Sequence, residues 1–218
     1  MATDLPAKHG TVTVAVFARA PLPGAAKTRL IPALGAAAAA QLALRMLDET
    51  LRCAVASAIG PVTLSCTPDA TEPLLLAAAR RHGVALAAQG DGDLGARMHR
   101  ALTAGLAGHA GAIVIGTDCP AMTATVLHQA AQALACHAAV FVPAADGGYV
   151  LAGITQPAPA LFADMTWSTD TVMLHTRERL ARLGIDAAEL PTLHDVDLPA
   201  DLIHVPEDWL EFHASFYQ

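Results

Sequence analysis

Apolar residues fall along this chain in two alternating rhythms, and the alternation predicts the fold. Thr11 to Ala18 (TVTVAVFA) is a β-branched run that predicts a first strand. Residues 36–58 then carry apolar positions at helical spacing and predict a long helix. Val62 to Cys66 predicts a second strand. Asp69, with Glu72 three residues on, has the capping-box signature of the next helix. Val84 to Ala88 predicts a third strand and residues 95–107 a helix. Ala112 to Ile115 is apolar at every position, which predicts a central strand covered on both faces of a parallel sheet. Thr123 can cap a helix running to about Cys136. Ala139 to Val142 and Tyr149 to Ile154 predict two more strands around a Gly-Gly turn. Residues 169–183 predict an amphipathic helix capped by Ser168 or Thr169, and a short terminal helix is expected after Pro199.

Strand–helix alternation of this kind implies βαβ units, hence a three-layer α/β/α, Rossmann-like architecture with a mostly parallel central sheet. The expectation is one domain over residues 1–218 with its core in about 12–205, since the sequence shows no internal repeat and no low-complexity linker. In open α/β sheets ligands sit beyond the carboxyl ends of the strands. The loops after each strand are therefore where chemistry is expected.

Composition narrows the partners. Hydrophobic residues make up 54% and charged residues 15%, which excludes a disordered chain. The net charge of −7 makes a nucleic-acid surface a poor fit, because phosphate backbones require clustered cations. No stretch reaches the ~18–20 strongly apolar residues of a membrane span, and the first ten residues lack a leader pattern. A cytoplasmic location is the expectation. Cys53, Cys66, Cys119 and Cys136 are scattered without a C-x-x-C pair, so reduced thiols are expected rather than a disulfide framework or a cysteine-based zinc site. The apolar, alanine-rich composition leaves room for a homodimer interface, but buried helices account for it equally well.

Three loops carry the strongest chemical signals. The first, Arg19-Ala20-Pro21-Leu22-Pro23-Gly24-Ala25-Ala26-Lys27-Thr28-Arg29, combines turn formers with three cations suited to phosphate, although it lacks the spacing of a Walker A loop. The second, Gly116-Thr117-Asp118-Cys119-Pro120, places a carboxylate at the end of an apolar strand, where Mg²⁺ or Mn²⁺ would compensate it. The alternative there is a helix cap before Pro120. The third, His194-Asp195-Val196-Asp197-Leu198-Pro199, alternates so that Asp195 and Asp197 face one side, where they could join the same metal. Asp197 reads equally as the cap of a helix opening at Pro199.

Weaker signals flank these. The polar loop Gln89-Gly90-Asp91-Gly92-Asp93-Leu94-Gly95-Ala96-Arg97-Met98 could place Asp93 and Arg97 near a base or ribose. Asp146-Gly147-Gly148-Tyr149 offers a carboxylate base and close backbone approach, and Trp167-Ser168-Thr169-Asp170 could line an acceptor pocket. For each of these, a turn or a helix start without a chemical task is at least as good a reading.

Taken in order, P-x-P-G-x-x-K-T-R-L, Q-G-x-G-D-L-G-x-R-M, G-T-D-C-P, D-G-G-Y-x-L-x-G, W-S-T and D-V-D-x-P-x-D-L resemble a bacterial glycosyltransferase-A-like family of nucleotide-diphospho-sugar transferases, the selenium-domain-associated type. The resemblance spans roughly residues 12–202. It implies a Rossmann-like nucleotide-diphospho-sugar transferase fold. It also implies nucleotide phosphates on Gly24, Lys27 and Arg29; the loops themselves add Arg19 to the nucleotide-binding candidates, with Asp93 and Arg97 near a base or ribose. Mg²⁺ or Mn²⁺ would lie on Asp118, Asp197 and Asp195. Asp146 and Tyr149 would face the acceptor or sugar, with Asp118 and Asp146 as the catalytic candidates; Gly147, Gly148 and Trp167 join the acceptor candidates from the loop readings.

The D-x-D-x-P-x-D-L segment is also similar to one in molybdenum-cofactor and phospholactate nucleotidyltransferases. The chain departs from many glycosyltransferases of this fold in having Asp118-Cys119-Pro120 where they carry Asp-x-Asp. Two reactions follow as expectations: metal-dependent transfer of a sugar from a nucleotide diphosphate to a small acceptor, or transfer of a nucleotidyl group from a nucleoside triphosphate with release of pyrophosphate. A non-catalytic nucleotide-binding regulator is the third reading, since fold does not fix function.

Overall fold

The computed structural model describes residues 10–211. Its elements run β1 (Val12–Arg19), a 3₁₀ turn (Thr28–Leu30), α1 (Ile31–Leu34), α2 (Ala36–Ala56), β2 (Val62–Thr67), α3 (Pro73–His82), β3 (Ala85–Ala88), α4 (Leu94–Gly105), β4 (Gly111–Gly116) and α5 (Ala124–Cys136). Then follow β5 (Ala139–Pro143), β6 (Tyr149–Ile154), α6 (Pro159–Phe162), α7 (Val172–Leu183), β7 (Ala187–Glu189) and two 3₁₀ turns, Pro199–His204 and Glu207–Leu210. The strands form one seven-stranded sheet in the order β3-β2-β1-β4-β6-β5-β7. Strand β6 runs antiparallel to both β4 and β5, and every other pairing is parallel.

Two apolar layers sandwich the sheet, and strand alternation assigns residues to them. Ile113 and Ile115 of β4 pack with Val14 and Val16 of β1 beneath Leu47 and Leu51 of α2, Leu75 of α3 and Leu127 of α5. Ala112 and Val114, from the same strand, face Met98 and Leu102 of α4, Phe162 of α6 and Met173 of α7. Strand β4 is therefore buried on both faces, as its unbroken apolar run predicts. A third cluster, Leu30, Leu42, Met46, Val196 and Val205, ties the first loop to α2 and to the C-terminal segment. This cluster brings the first and third motif loops together across some 170 residues of sequence.

Several local expectations need correction. The N-cap of α3 is Glu72, whose carboxylate accepts from Leu75 N at 3.0 Å with Pro73 opening the helix. Asp69 instead holds the backbone and hydroxyl of Thr71 in a turn. Helix α7 starts at Val172 rather than 169, because the Thr169 hydroxyl bonds Thr166 O and the Thr171 hydroxyl instead of capping. The turn after Pro199 is 3₁₀, and Asp201 rather than Asp197 receives the backbone N–H groups at its start. The described cysteines are all free thiols. Among the described residues no helix is long and apolar enough to cross a membrane. The leader reading concerned residues 1–10, of which 1–9 lie outside the described range.

Candidate functional site

The first loop leaves β1 at Arg19 and folds back on itself. Ala25 and Ala26 both donate to Leu22 O, and Gly24 turns at φ 79°. Lys27 then takes a left-handed backbone (φ 47°, ψ 44°) and its carbonyl accepts from Leu30 N at 2.9 Å. That conformation is uncommon outside glycine and asparagine. With buried Leu30 anchoring the loop just beyond it, the Lys27 side chain turns inward, where only 6% of it is exposed.

The third loop arrives at the same place by strand-like contacts. Leu193 N donates to Pro143 O, Ala145 N to Leu193 O, and Val196 N to Asp118 O at 2.8 Å. Val196 is fully buried, so alternation turns its neighbours Asp195 and Asp197 the other way, and Asp197 lines the cleft described below. The Lys27 ammonium lies 2.7 Å from Asp118 Oδ1 and 3.0 Å from Asp197 Oδ1, and it donates to Val196 O at 2.5 Å. The two carboxylates are about half exposed, at 50% and 45%.

The electrostatics are uneven. Burial works against the charged form of Lys27, but Asp118 and Asp197 outweigh it and hold the ammonium above its ordinary range. Asp195 is pushed up, first by burial and then by Asp146, with Asp197 and Asp118 adding repulsion against a local backbone N–H. Burial drives the Cys119 thiol up to about 11, which keeps it protonated and removes it as a nucleophile near neutral pH. Among the described residues no group of three or more His, Cys, Asp or Glu stands ready to hold a metal. Asp118 and Asp197 nevertheless present hard, half-open carboxylate oxygens to one shared cation, a donor set that suits Mg²⁺ or Mn²⁺ once substrate oxygens complete the shell.

These groups line one end of a cleft of about 640 Å³, a volume in the usual range for small-molecule sites. Arg19, Arg29, Gly116 and Thr117 line it as well. The far end is formed by Thr67, Gln89, Leu94 and Arg97, over the β2 and β3 side of the sheet. Gln89 was not singled out by sequence. It is buried, donates from Nε2 to Ser65 O at 2.9 Å and accepts from Arg97 Nη1 at 3.1 Å, so it fixes where the guanidinium points. A polar residue directly after an apolar strand was the available signal. Asp93 is the N-cap of α4, accepting from Ala96 N at 2.8 Å, which gives it a structural task.

The segment expected beside the acceptor comes out differently. Asp146 is exposed, and Gly148 N donates to its Oδ1 at 2.8 Å. Gly147, at φ 91°, leaves no room for a β-carbon against the Asp170 backbone, and its carbonyl accepts from Met173 N at 2.8 Å. Tyr149 turns into the core, edge-on to Phe141 at 5.2 Å and to Trp167 at 6.4 Å, with its hydroxyl only near Met98 Sδ at 4.0 Å. Burial pushes its pKa far up. Trp167 packs beside Gly95, whose missing side chain admits both the indole and the Phe162 backbone. In this arrangement the rings of Tyr149 and Trp167 pack against the apolar layer, while the Asp146 carboxylate stays exposed.

Residues 50–169 match the model of a family described as "Uncharacterized protein conserved in bacteria (DUF2064)". No curated protein matches. Among solved structures, a "putative nucleotide-diphospho-sugar transferase" from Desulfovibrio desulfuricans G20 is 28% identical, with a TM-score of 0.79 over 88% of this chain and 84% of that one. A nucleotidyl transferase from Methanothermobacter thermautotrophicus is 12% identical, with a TM-score of 0.59 over 92% and 98% of the two chains. Glucosyl-3-phosphoglycerate synthase from Mycobacterium tuberculosis, in complex with Mn²⁺, UDP and glucosyl-3-phosphoglycerate, is 10% identical, with a TM-score of 0.50 over 89% and 75%. The last two similarities speak to the fold alone. The chain thus has the Rossmann-like fold of nucleotide-diphospho-sugar and nucleotidyl transferases, and it belongs to the DUF2064 family of bacterial proteins.

Proposed function

We propose that this protein is a metal-dependent glycosyltransferase that moves a sugar from a nucleotide diphosphate to a small acceptor. The observation that carries the reading is the meeting of Lys27, Asp118 and Asp197 at one end of a cleft also lined by Arg19 and Arg29. Cations and carboxylates interleaved in this way suit a diphosphate with its divalent ion. The resemblance to the Desulfovibrio protein supports the same class of substrate.

In this reading an acceptor oxygen attacks the anomeric carbon of the donor sugar. The bond from that carbon to the diphosphate oxygen breaks, and its electron pair leaves with the nucleoside diphosphate. Lys27, Arg19 and Arg29 stabilise the charge that develops on the leaving group. Asp118 and Asp197, with Asp195 beside them, would hold Mg²⁺ or Mn²⁺, which would supply further Lewis-acid stabilisation of the leaving diphosphate. Asp146, exposed at the acceptor side, takes the acceptor's proton. Arg97, fixed by Gln89, meets the nucleoside at the far end.

A second reading is favoured by one feature: a single carboxylate follows β4, and its partner Asp197 comes from the C-terminal segment. This suits nucleotidyl transfer, in which an acceptor phosphate attacks the α-phosphorus of a nucleoside triphosphate and pyrophosphate leaves. Product analysis separates the two. Purified protein with Mn²⁺ and a panel of sugar-nucleotides should release a nucleoside diphosphate when acceptor is supplied. Pyrophosphate release from a triphosphate, with sugar-nucleotides inert, would replace the first reading by the second.

A further inference from the structure

We propose that Lys27 is a latch on the cation site: its ammonium occupies the Asp118 and Asp197 oxygens that a divalent ion needs, so that cation binding is conditional on a phosphate drawing Lys27 away. The inference rests on the transferase reading of the cleft.

The ammonium has no donor to spare. Its three N–H groups face three acceptors: Asp118 Oδ1 at 2.7 Å, Asp197 Oδ1 at 3.0 Å and Val196 O at 2.5 Å. A lysine waiting for a phosphate would keep a donor open toward solvent, whereas this side chain is 6% exposed. The carboxylates are the open part of the site, at 50% and 45%. The ammonium therefore closes from within the pair of ligands that solvent reaches from without.

Charge favours an exchange over simple addition. Two carboxylates facing one ammonium leave a single negative charge, with Asp195 and Asp146 adding to the negative field. A divalent ion placed beside an unmoved Lys27 would meet cation–cation repulsion at contact distance. If Lys27 swings to a phosphate, a divalent ion neutralises the same two carboxylates, and the ammonium finds an equivalent anion. The loop also carries a hinge. Lys27 holds a left-handed backbone at the end of an exposed turn over residues 22–25, a conformation that persists only while its surroundings fix it. Competition for shared oxygens is reciprocal, so phosphate and cation each raise the affinity of the other.

The test is Mn²⁺ binding without nucleotide, followed by electron paramagnetic resonance of the free ion. Lys27→Met keeps the length of the side chain and removes the charge. It should bind Mn²⁺ roughly 5- to 150-fold more tightly than the natural protein, the usual span of coupling between sites. Lys27→Arg keeps a cation and should remain weak. Adding Asp118→Asn to Lys27→Met should abolish the gain. Circular dichroism checks the fold, and Lys27→Ala serves in place of a variant that does not fold. Equal affinity in the natural and Lys27→Met proteins would overturn the latch, as would a gain that survives Asp118→Asn. Thermal shifts with the uridine, cytidine, guanosine, adenosine and thymidine diphosphates plus Mn²⁺ on the natural protein separate the two levels. Nucleotide binding with equal Mn²⁺ affinities removes the latch alone, and no binding of any of the five removes the transferase reading together with it.

Discussion

Two walls at the edge of the sheet where β1, β4 and β5 end are written in the same kind of sequence, a turn-rich loop after a strand, yet they are built on opposite principles. On the β1 and β4 side, Lys27, Asp118 and Asp197 turn polar atoms toward one another and leave the carboxylates open. On the β5 and β6 side, Gly147 is pressed against the Asp170 backbone and Tyr149 lies in the apolar layer with Phe141 and Trp167. Register explains the difference. Tyr149 is the first residue of β6 and pairs with Pro143, so the pleat governs its side chain. Asp118 lies two residues past the end of β4, where no ladder constrains it. Tyr149, inside a strand, answers to packing, and Asp118, beyond its strand end, is free to face the cleft.

The largest effect that would sharpen this contrast is on stability. Tyr149→Ala removes a buried ring from two edge-on contacts and should cost about 3–5 kcal/mol by denaturant titration. Tyr149→Phe should cost less than about 1 kcal/mol, because the hydroxyl has only a weak sulfur neighbour. Phenylalanine at this position should also leave turnover intact. A tenfold loss of kcat/KM in Tyr149→Phe, with melting unchanged, would return the hydroxyl to the acceptor site and erase the distinction between the walls.

Asp118→Asn is the counterpart on the polar wall. It keeps the shape but removes one of the two carboxylates that offset burial of the Lys27 ammonium, so melting should fall by a few degrees while the fold survives. Metal-dependent kcat/KM should fall at least about 100-fold, near 2.7 kcal/mol of transition-state stabilisation. A variant that stays folded and retains activity would remove Asp118 from the site and leave the polar wall without its centre.

The same distinction decides what could be read from sequence. The strands were legible because β-branched and apolar runs report burial directly, and β4 was legible as central for the same reason. Strand β7 (Ala187–Glu189) was not, since three residues with little β-propensity acquire their pairing from Phe141 and its neighbours rather than from their own chemistry. The Glu72 cap could have been found, because Pro73 marks the first helical residue and so the cap before it. In the site, the alternation of Asp195 and Asp197 about buried Val196 was legible as a pattern. The position of Lys27 between Asp118 and Asp197 was not, because it depends on the left-handed backbone of Lys27 and on packing of Leu30 near Val196. Both are tertiary facts. Gln89 escaped notice because its role depends on carbonyls of two other strands.

The smallest predicted effect tests whether the polar wall is held against its own repulsion. Asp195 titrates above the ordinary carboxylate range, through burial first and then through Asp146, Asp197 and Asp118. The sign follows from linkage. A carboxyl that binds its proton more tightly when folded than when unfolded disfavours the fold while ionised. That cost is complete above the folded pKa, shrinks as pH falls through it, and is gone below the unfolded value. Asp195→Asn should therefore stabilise the chelator-treated protein at neutral pH. The site is partly exposed and screened, so the gain should be about 0.5 kcal/mol, or roughly 1–2 °C in Tm. The gap should close as pH is lowered through the carboxylate range, and it should reverse when Mn²⁺ and a nucleotide are added, since the ionised group is then useful. Scanning calorimetry across pH, with and without chelator, reads all three. A variant less stable than the natural protein in chelator would show that the backbone N–H at Asp195 outweighs the three neighbouring carboxylates, and the polar wall would then be as well satisfied as the packed one.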